Sequence, residues 1–328
     1  MKQTCVVAVN IVTYNNASTI EACLTSLKAQ ALRNYQLCVI DNNSTDDTVK
    51  IVEKFAPSVI EVNATNIGYA AAHNQALLKS RSTYVLTLNP DVVLDKYFLK
   101  NMVDVMDNQN AKTIGSAAGL LFRVNNMRVT STIVDGAGLY MLRSRRQVLR
   151  YEGQNVRLVD TRQAHIFGPD GAAAFYRRKM LEDIDLGDGV FDEDFYMHKE
   201  DVDVDWRAQL RGWSSLFVGT ARARHIRTFR AGQRDRVDLY MRILAIRNRY
   251  YLLIKNEISW LFWRDFVWII LYDIGIFLYI CLKERSSLVA YTQLFAQLPT
   301  LFRKRRRIQS ARRAPLSMIG HLFVWRKI

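Results

Sequence analysis

Short apolar runs alternate with amphipathic stretches along the first hundred residues. "CVVAVNIV" (5–12), "YQLCVID" (35–41), "VIEVNA" (59–64) and "YVLTLNP" (84–90) are rich in strand formers. Between them, "ASTIEACLTSLKAQ" sets Ile20, Cys23, Leu24 and Leu27 at helical spacing, "STDDTVKIVEKF" opens on a Ser/Thr/Asp cap cluster, and "GYAAAHNQALLKS" reads as a third helix. This alternation predicts βαβ crossovers, hence an α/β fold with a mostly parallel, Rossmann-like sheet covered by helices on both faces. Residues 115–153 read as β-rich with turns, and "GPDGAAAFYRRKML" as a run of small residues leading into a helix. Farther on, "EDVDVDWRAQLRGW" predicts a helix from Glu200 that puts Val202, Trp206 and Leu210 on one stripe and stops at Gly212.

Ligands of such sheets bind beyond the carboxyl ends of the strands. Polar clusters fall at those ends: "TYNN" (13–16), "DNNSTDD" (41–47) and "NPD" (89–91). Turn or cap chemistry accounts for any one of them. Three on one rim point to a polar ligand. No GxGxxG follows the first strand and no GxxxxGK[ST] occurs, so side chains rather than a glycine loop would hold a nucleotide.

Charge sharpens the picture. Lys and Arg number 46 against 31 Asp and Glu, a net +15 over 328 residues, and 301–328 carries nine basic residues and no acidic one. That tail reads as a phosphate-binding patch, of nucleic acid or of lipid. Nucleic acid is disfavoured, because no RNP, zinc or helix-turn-helix signature occurs and an acidic cleft would repel phosphates. Seven of the fourteen residues from Asp192 to Asp205 are acidic. A solvated acidic helix would account for them, but Glu200 and Asp201 fall in a first helical turn, where the dipole stabilises a carboxylate. Paired carboxylates alone would also suit a glycoside hydrolase, which leaves the three polar clusters on the strand ends unexplained.

Cys5, Cys23, Cys38 and Cys281 sit in apolar segments without paired or metal-like spacing, as buried free thiols in a reducing compartment do. The N-terminus reads as a strand and not as a signal peptide. From Phe266 to Leu282 the chain is apolar except for Asp273 and Gly275, with Trp260, Trp263 and Trp268 at one end. Seventeen residues is short for about 30 Å of hydrocarbon and Asp273 is costly there, so an interfacial or re-entrant helix pair is expected, with core packing the alternative.

"IVTYNN", "VIDNNSTDDT", "NIGYAAAHNQAL", "LNPDVVL" and "FDEDFYMHKEDVDVDWRAQLRGW", in that order, resemble the family 2 glycosyltransferases with a GT-A fold, and within them a bacterial rhamnosyltransferase-like branch. The resemblance implies inverting transfer of a sugar from a nucleotide diphosphate donor, with dTDP-rhamnose favoured and a UDP-sugar the alternative, assisted by Mg²⁺ or Mn²⁺. It implies a catalytic domain over 1–240, with donor binding in 1–114 and acceptor binding and catalysis in 115–240. A helical, basic, membrane-associated region then spans 241–328.

Asp201 matches the position of the base, with Glu200 the alternative. Thr13, Tyr14, Asn15, Asp41, Asn43, Asn66, Gly68, Asn74, Asn89 and Asp91 fall where the donor is held, and Asp91 with His225 where the metal is held. The family's short Asp-x-Asp-like motif is here "NPD", so Asn89 brings an amide and no charge. The acceptor side is expected at Gly171, Ala172, Arg177, Arg178, Trp206 and Arg207. The expected acceptor is a polyprenyl diphosphate-linked saccharide of a cell-surface polysaccharide, met at an anionic membrane on its cytoplasmic face by a peripheral or monotopic enzyme.

Overall fold

The computed structural model describes residues 5–108, 112–126, 129–226, 234 and 237–325. Its first half alternates as the pattern requires: β1 (Cys5–Thr13), α1 (Ile20–Lys28), β2 (Tyr35–Asp41), α2 (Thr48–Glu53), β3 (Val59–Val62), α3 (Tyr69–Leu78), β4 (Ser82–Leu88), β5 (Val92–Leu94) and α4 (Phe98–Met106). The β-rich middle follows, with β6 (Ile114–Arg123), β7 (Val134–Gly136), β8 (Leu139–Leu142), β9 (Gln147–Leu149), β10 (Ala164–Ile166) and β11 (Ala173–Arg177). After it come α5 (Arg178–Ile184), α6 (Glu200–Leu210), β12 (Ser214–His225), α7 (Leu239–Asn256), α8 (Ser259–Lys283), α9 (Val289–Ser310), α10 (Leu316–Gly320) and β13 (Phe323–Val324).

The central sheet runs β10-β12-β6-β11-β4-β1-β2-β3, with β5 added on β12 and β7 on β6. β3, β2, β1 and β4 are parallel, whereas β11 lies antiparallel between β4 and β6. Coverage on both faces explains why β1 is buried almost throughout, from Val7 to Thr13. The reversed β11 sets Ala173 opposite Leu88, which brings the residues before β11 to the same rim as those after β4. A single strand of opposite sense thereby joins two polar segments far apart in sequence.

The expected helix at 200–212 is α6, and Gly212 closes it with φ +89°, a conformation that favours glycine. The helix that carries the apolar run is longer than the seventeen residues read from sequence, for α8 has 25. Core packing does not describe it. Only 17% of its most apolar window is buried. Trp260, Trp263, Val267, Leu271, Ile274, Phe277 and Leu278 all face outward.

The tail corrects the sequence reading. Among its described residues, most of the cations do not stand free for phosphates. Lys304 Nζ lies 2.6 Å from both Asp192 and Asp194, Arg307 pairs with Asp188 at 2.6 Å, Arg313 pairs with Asp183, and Arg305 donates to the carbonyl of Ile254. Arg303, Arg306 and Arg312 pair with no described carboxylate. Arg326 and Lys327 lie outside the described residues.

The acidic run is likewise divided, since part of it is a docking surface. Lys255, on α7, is 1% exposed and pairs with Asp192 and, at 2.9 Å, with Asp203 of α6. Arg207 holds Asp203 at 2.8 Å, and Asn256 donates to it at 2.8 Å. Burial alone would raise the pKa of Asp192, but Lys255 and Lys304 overcome it and hold the carboxyl below the usual range. At Asp203 burial is likewise outweighed, by Lys255 and Arg207. A second buried cluster joins Arg145, in the turn between β8 and β9, to Glu257 at 2.5 Å and to Asp265 of α8 at 2.8 Å.

Removing one partner of a buried ion cluster leaves uncompensated charge, at a cost of about 3–5 kcal/mol. Lys255→Met keeps the length of the side chain and removes its charge. The unfolding free energy of the whole chain is expected to fall by that amount, read as a lower denaturant midpoint in a single transition. An unchanged midpoint would make the C-terminal helices an independent appendage.

Candidate active site

β4 ends at Leu88, and Pro90 holds Asn89 out of helical geometry before the chain turns into β5. β5 pairs with the end of β12, Val92 opposite His225. Asp91 and His225 therefore meet, with His225 Nε2 3.5 Å from Asp91 Oδ1. The other ring nitrogen, Nδ1, is 2.8 Å from Asp135 Oδ2 on β7, which fixes ring and tautomer if Nδ1 carries the proton. Asp91 Oδ1 is buried and receives no hydrogen bond.

An orphaned carboxylate oxygen beside an oriented imidazole is a fit for a divalent cation. Among the described residues no group of three or more His, Cys, Asp or Glu could hold one. Two protein donors suit an ion that takes its remaining ligands from phosphates and water.

The opposite wall is built by residues 170–172 and the start of α6. Asp201 Oδ2 accepts from the Gly171 N–H at 2.7 Å, and Oδ1 accepts from the Val202 N–H at 2.8 Å. A Cβ at Gly171 would lie 3.1 Å from Asp201 Oδ2, so the small residue permits this close approach. Ala172 N–H donates to Asp170 at 3.1 Å, and the Ala172 carbonyl accepts from Asn89 N–H at 2.9 Å. The Tyr69 hydroxyl joins the walls, 3.2 Å from Asn89 Oδ1 and 3.1 Å from the Gly171 carbonyl.

Together these residues, with Glu200, Met197, His198 and Lys199, line a cleft of about 370 Å³. Burial raises the pKa of Asp201, against the two N–H bonds that lower it. Glu200, one oxygen of which is buried without a partner, is pushed up to about 8 by burial and then by Asp201. Asp205, one turn on, has both oxygens buried and unpartnered, and burial with Asp201 nearby drives it well above the carboxylate range. Lys199 is lowered to about 8 by burial and then by Arg249.

The donor-side residues form a rim of another kind. Asp41 accepts from Thr13 Oγ1 at 2.7 Å and from Ser44 N–H and Oγ at 2.7 and 2.6 Å, so it shapes the loop after β2. Asn15 and Asn43 take left-handed φ values of +55° and +67°, and Asn15 Oδ1 accepts from Thr45 N–H. Tyr14 beside them is half exposed. Gly68, at φ +88°, packs so closely on Tyr196 that a Cβ would lie 2.5 Å from the ring. Asn66 caps that turn by accepting from Gly68 N–H at 3.0 Å.

Five expected site residues lie elsewhere. Asn74 is spent on the loop after α5, exchanging hydrogen bonds with the backbone of Phe191 at 2.8 and 2.9 Å. Arg177 and Arg178 stand at the opposite end of β4, where their guanidinium groups donate to the carbonyls of Ile114, Met106 and Ser82. Trp206 is buried against Phe167 and Phe323. Arg207 donates to Asp203 and to the carbonyls of Ile184 and Val190.

The sequence reading missed Tyr69, Asp135, Asp170 and Lys199. The carboxylate inside the turn "GPDG" was a signal for Asp170. Nothing local marks Asp135, whose partner His225 is 90 residues away.

A family model described as "Glycosyl transferase family 2" matches residues 8–185, more than half of the chain. Among curated proteins, the chain is 30% identical over 105 residues to an Escherichia coli UDP-Glc:alpha-D-GlcNAc-diphosphoundecaprenol beta-1,3-glucosyltransferase, WfaP, covering 31% of this chain and 42% of that one. Among solved structures it resembles S. aureus TarS 1-349 in complex with UDP-GlcNAc, with TM-score 0.55 and 18% identity over 93% of this chain and 83% of that one. It also resembles the mannosyltransferase PcManGT of Pyrobaculum calidifontis in complex with GDP-Man and Mn²⁺, with TM-score 0.55 and 16% identity over 94% and 86%. At such identities the structures show the fold. The chain spans less than half the length of the curated relatives it matches.

The raised pKa of Glu200 sets a stability profile. Its carboxyl titrates near 4.5 when unfolded and near 8 when folded, so the folded state holds the proton more tightly. The stability this confers is complete below about 4.5 and is lost as pH rises through about 8. Glu200→Gln is therefore expected to flatten the fall of melting temperature between pH 5 and 8 relative to the wild-type chain. Parallel profiles would mean that Glu200 titrates as a solvated carboxylate.

Proposed function

The chain belongs to glycosyl transferase family 2, and on that premise we propose that it moves a hexosyl group from a UDP-linked donor to a hydroxyl of a lipid-linked saccharide, with inversion, in cell-surface polysaccharide synthesis. The observation that carries the reading is the meeting of Asp91, His225 and Asp201 around one cleft. Asp91 Oδ1 and His225 Nε2 would hold Mn²⁺ or Mg²⁺, which supplies positive charge against the diphosphate as it leaves. Thr13, Tyr14, Asn15, Asp41, Asn43, Asn66 and Gly68 form the rim for base and ribose, and Asn89 offers its amide near the metal position.

Asp201 takes the proton from the acceptor hydroxyl. The bond from that oxygen to the anomeric carbon forms while the bond from that carbon to the diphosphate oxygen breaks, in one displacement from the opposite face. Two backbone N–H groups fix the Asp201 carboxylate, whereas Glu200, at about 8, is mostly protonated at neutral pH. Gly171 and Ala172 give the acceptor close access to the backbone. Of the three named relatives, two carry UDP-glucose or UDP-GlcNAc in their names, one carries GDP-Man and none carries rhamnose, which supports a UDP-hexose over dTDP-rhamnose. WfaP's name and the outward apolar face of α8 support a lipid-linked acceptor at a membrane surface. Four free cysteines fit the cytoplasmic face of that membrane.

With UDP-glucose, UDP-GlcNAc and dTDP-rhamnose offered in parallel with Mn²⁺, product mass spectrometry is expected to find transfer or hydrolysis from a UDP-sugar. Asp201→Asn should then lower turnover by about two to four orders of magnitude with donor binding little changed. Near-normal turnover in that variant would move the role to Glu200.

Asp91→Ala tests the metal position separately. It is expected to weaken Mn²⁺-dependent UDP-sugar binding and to leave UMP binding without metal as before. Equal loss of both would assign Asp91 to the scaffold.

A further inference from the structure

A second cavity, of about 500 Å³, opens between α7 and α8 and shares Gln147 and Lys199 with the catalytic cleft. Its walls are of two kinds. Lys199, Arg146, Arg234 and Arg249 bring four positive charges to it. Asp273 answers Arg249 at 2.7 Å and Glu284 answers Arg234 at 2.6 Å, which leaves Lys199 and Arg146 without an ion pair to any described carboxylate. Arg249 is further fixed by the carbonyls of Ser144 and Arg145, so this charge is held in place.

The remaining wall is apolar, with Ile246, Ile276 and Ile280, and runs along α8 toward its outward face. Gly275 lies in that wall, and a Cβ added there would meet nothing within 4 Å. Of the two interruptions of the apolar run, Gly275 lines this groove and Asp273 pairs with an arginine that does. Asp273 braces its arginine, and Gly275 keeps its apolar part open.

An unbalanced pair of cations beside the catalytic cleft, continued by an open apolar channel, matches an amphiphile with about two negative charges at its head. We propose that this groove seats the diphosphate and the first part of the hydrocarbon chain of the lipid-linked acceptor, with Lys199 at the junction where the attached saccharide passes into the catalytic cleft. This rests on the transferase reading above and names the part of the molecule that receives the acceptor. Desolvation of Lys199 agrees with it, since a partly buried ammonium without an ion pair to a described carboxylate gains from an anion.

The probe is farnesyl diphosphate, titrated into the full chain without divalent cation and followed by calorimetry. Saturable binding is expected, with farnesol and inorganic pyrophosphate each at least tenfold weaker. Lys199→Gln and Gly275→Leu are each expected to weaken farnesyl diphosphate at least tenfold. Gly275→Leu fills open space, so its melting temperature should match the wild-type chain and its loss of binding cannot be laid to misfolding. Pyrophosphate binding as tightly as farnesyl diphosphate, or phosphatidylglycerol micelles displacing the probe at equal concentration, overturns the proposal, as does unchanged binding in both variants. UDP-sugar binding with Mn²⁺ is measured on the wild-type chain in parallel. Its absence would overturn the transferase reading while the groove's affinity for farnesyl diphosphate stood.

Discussion

The ammonium of Lys255 is the point on which the rest of the structure hangs. It is 1% exposed, and it joins α7 to Asp192 in the segment before α6 and to Asp203 within α6. Each of these ions alone in the interior would cost several kcal/mol, so they are buried together or not at all. The first turn of α6 carries Glu200 and Asp201, two to three residues before the held Asp203. Docking of α7 and α9 therefore sets where these two carboxylates point. The sheet supplies one wall of the cleft, and an ion cluster at the back of α6 positions the other.

That cleft is more acidic than one region of low polarity can sustain. Asp91, Asp170, Glu200 and Asp201 line it, and Asp205 lies one turn behind. Like charges at close range resolve by protonation or by recruiting a cation. At the α6 end protonation is the answer, since Glu200 and Asp205 are both raised. At the Asp91 end the unbonded Oδ1 faces an imidazole whose other nitrogen meets Asp135, an arrangement with room for a cation. In the proposed reaction this asymmetry suits an anionic diphosphate at the Asp91 end and a neutral hydroxyl at the α6 end.

Periodicity made the parallel half of the sheet legible, because each strand and helix there is specified by its own residues. The rim was legible too, since turn residues after β1, β2 and β4 must lie at one edge once the strands are parallel. Glu200 and Asp201 could be placed by helix logic alone. What could not be read depends on register between distant segments. The reversal of β11 brings Asp170 and Gly171 against Asn89. The pairing of β5 with β12 brings His225 to Asp91, a meeting that the family resemblance implied and that nothing in the local sequence specified. Arginines misled for a related reason. A guanidinium donates as readily to buried carbonyls as to phosphate, and Arg177, Arg178 and Arg207 take the first course. The tail misled likewise, because composition counts Lys304 as a surface charge while the fold places it against Asp192 and Asp194.

The geometry of α8 bears on how such a chain can meet a bilayer. Twenty-five residues at about 1.5 Å each would cross the hydrocarbon, and length alone would permit a span. A spanning helix must leave the body of the protein over most of that length. This one is fastened along it: Leu261, Asp265 and Ile269 follow one another at intervals of four residues, Asp273 continues the series to Arg249, and Ile280 is buried a further two turns on. The fastened stripe includes two carboxylates in ion pairs, whose partners Arg145 and Arg249 belong to the hairpin turn and to α7. Pulling the helix free to cross a membrane would bare both pairs, whereas laying it flat keeps them and presents the opposite, apolar face outward. The in-plane arrangement also keeps the groove at Gly275 beside the cleft that Asp201 lines, so that a lipid seated there as proposed would remain in its own leaflet.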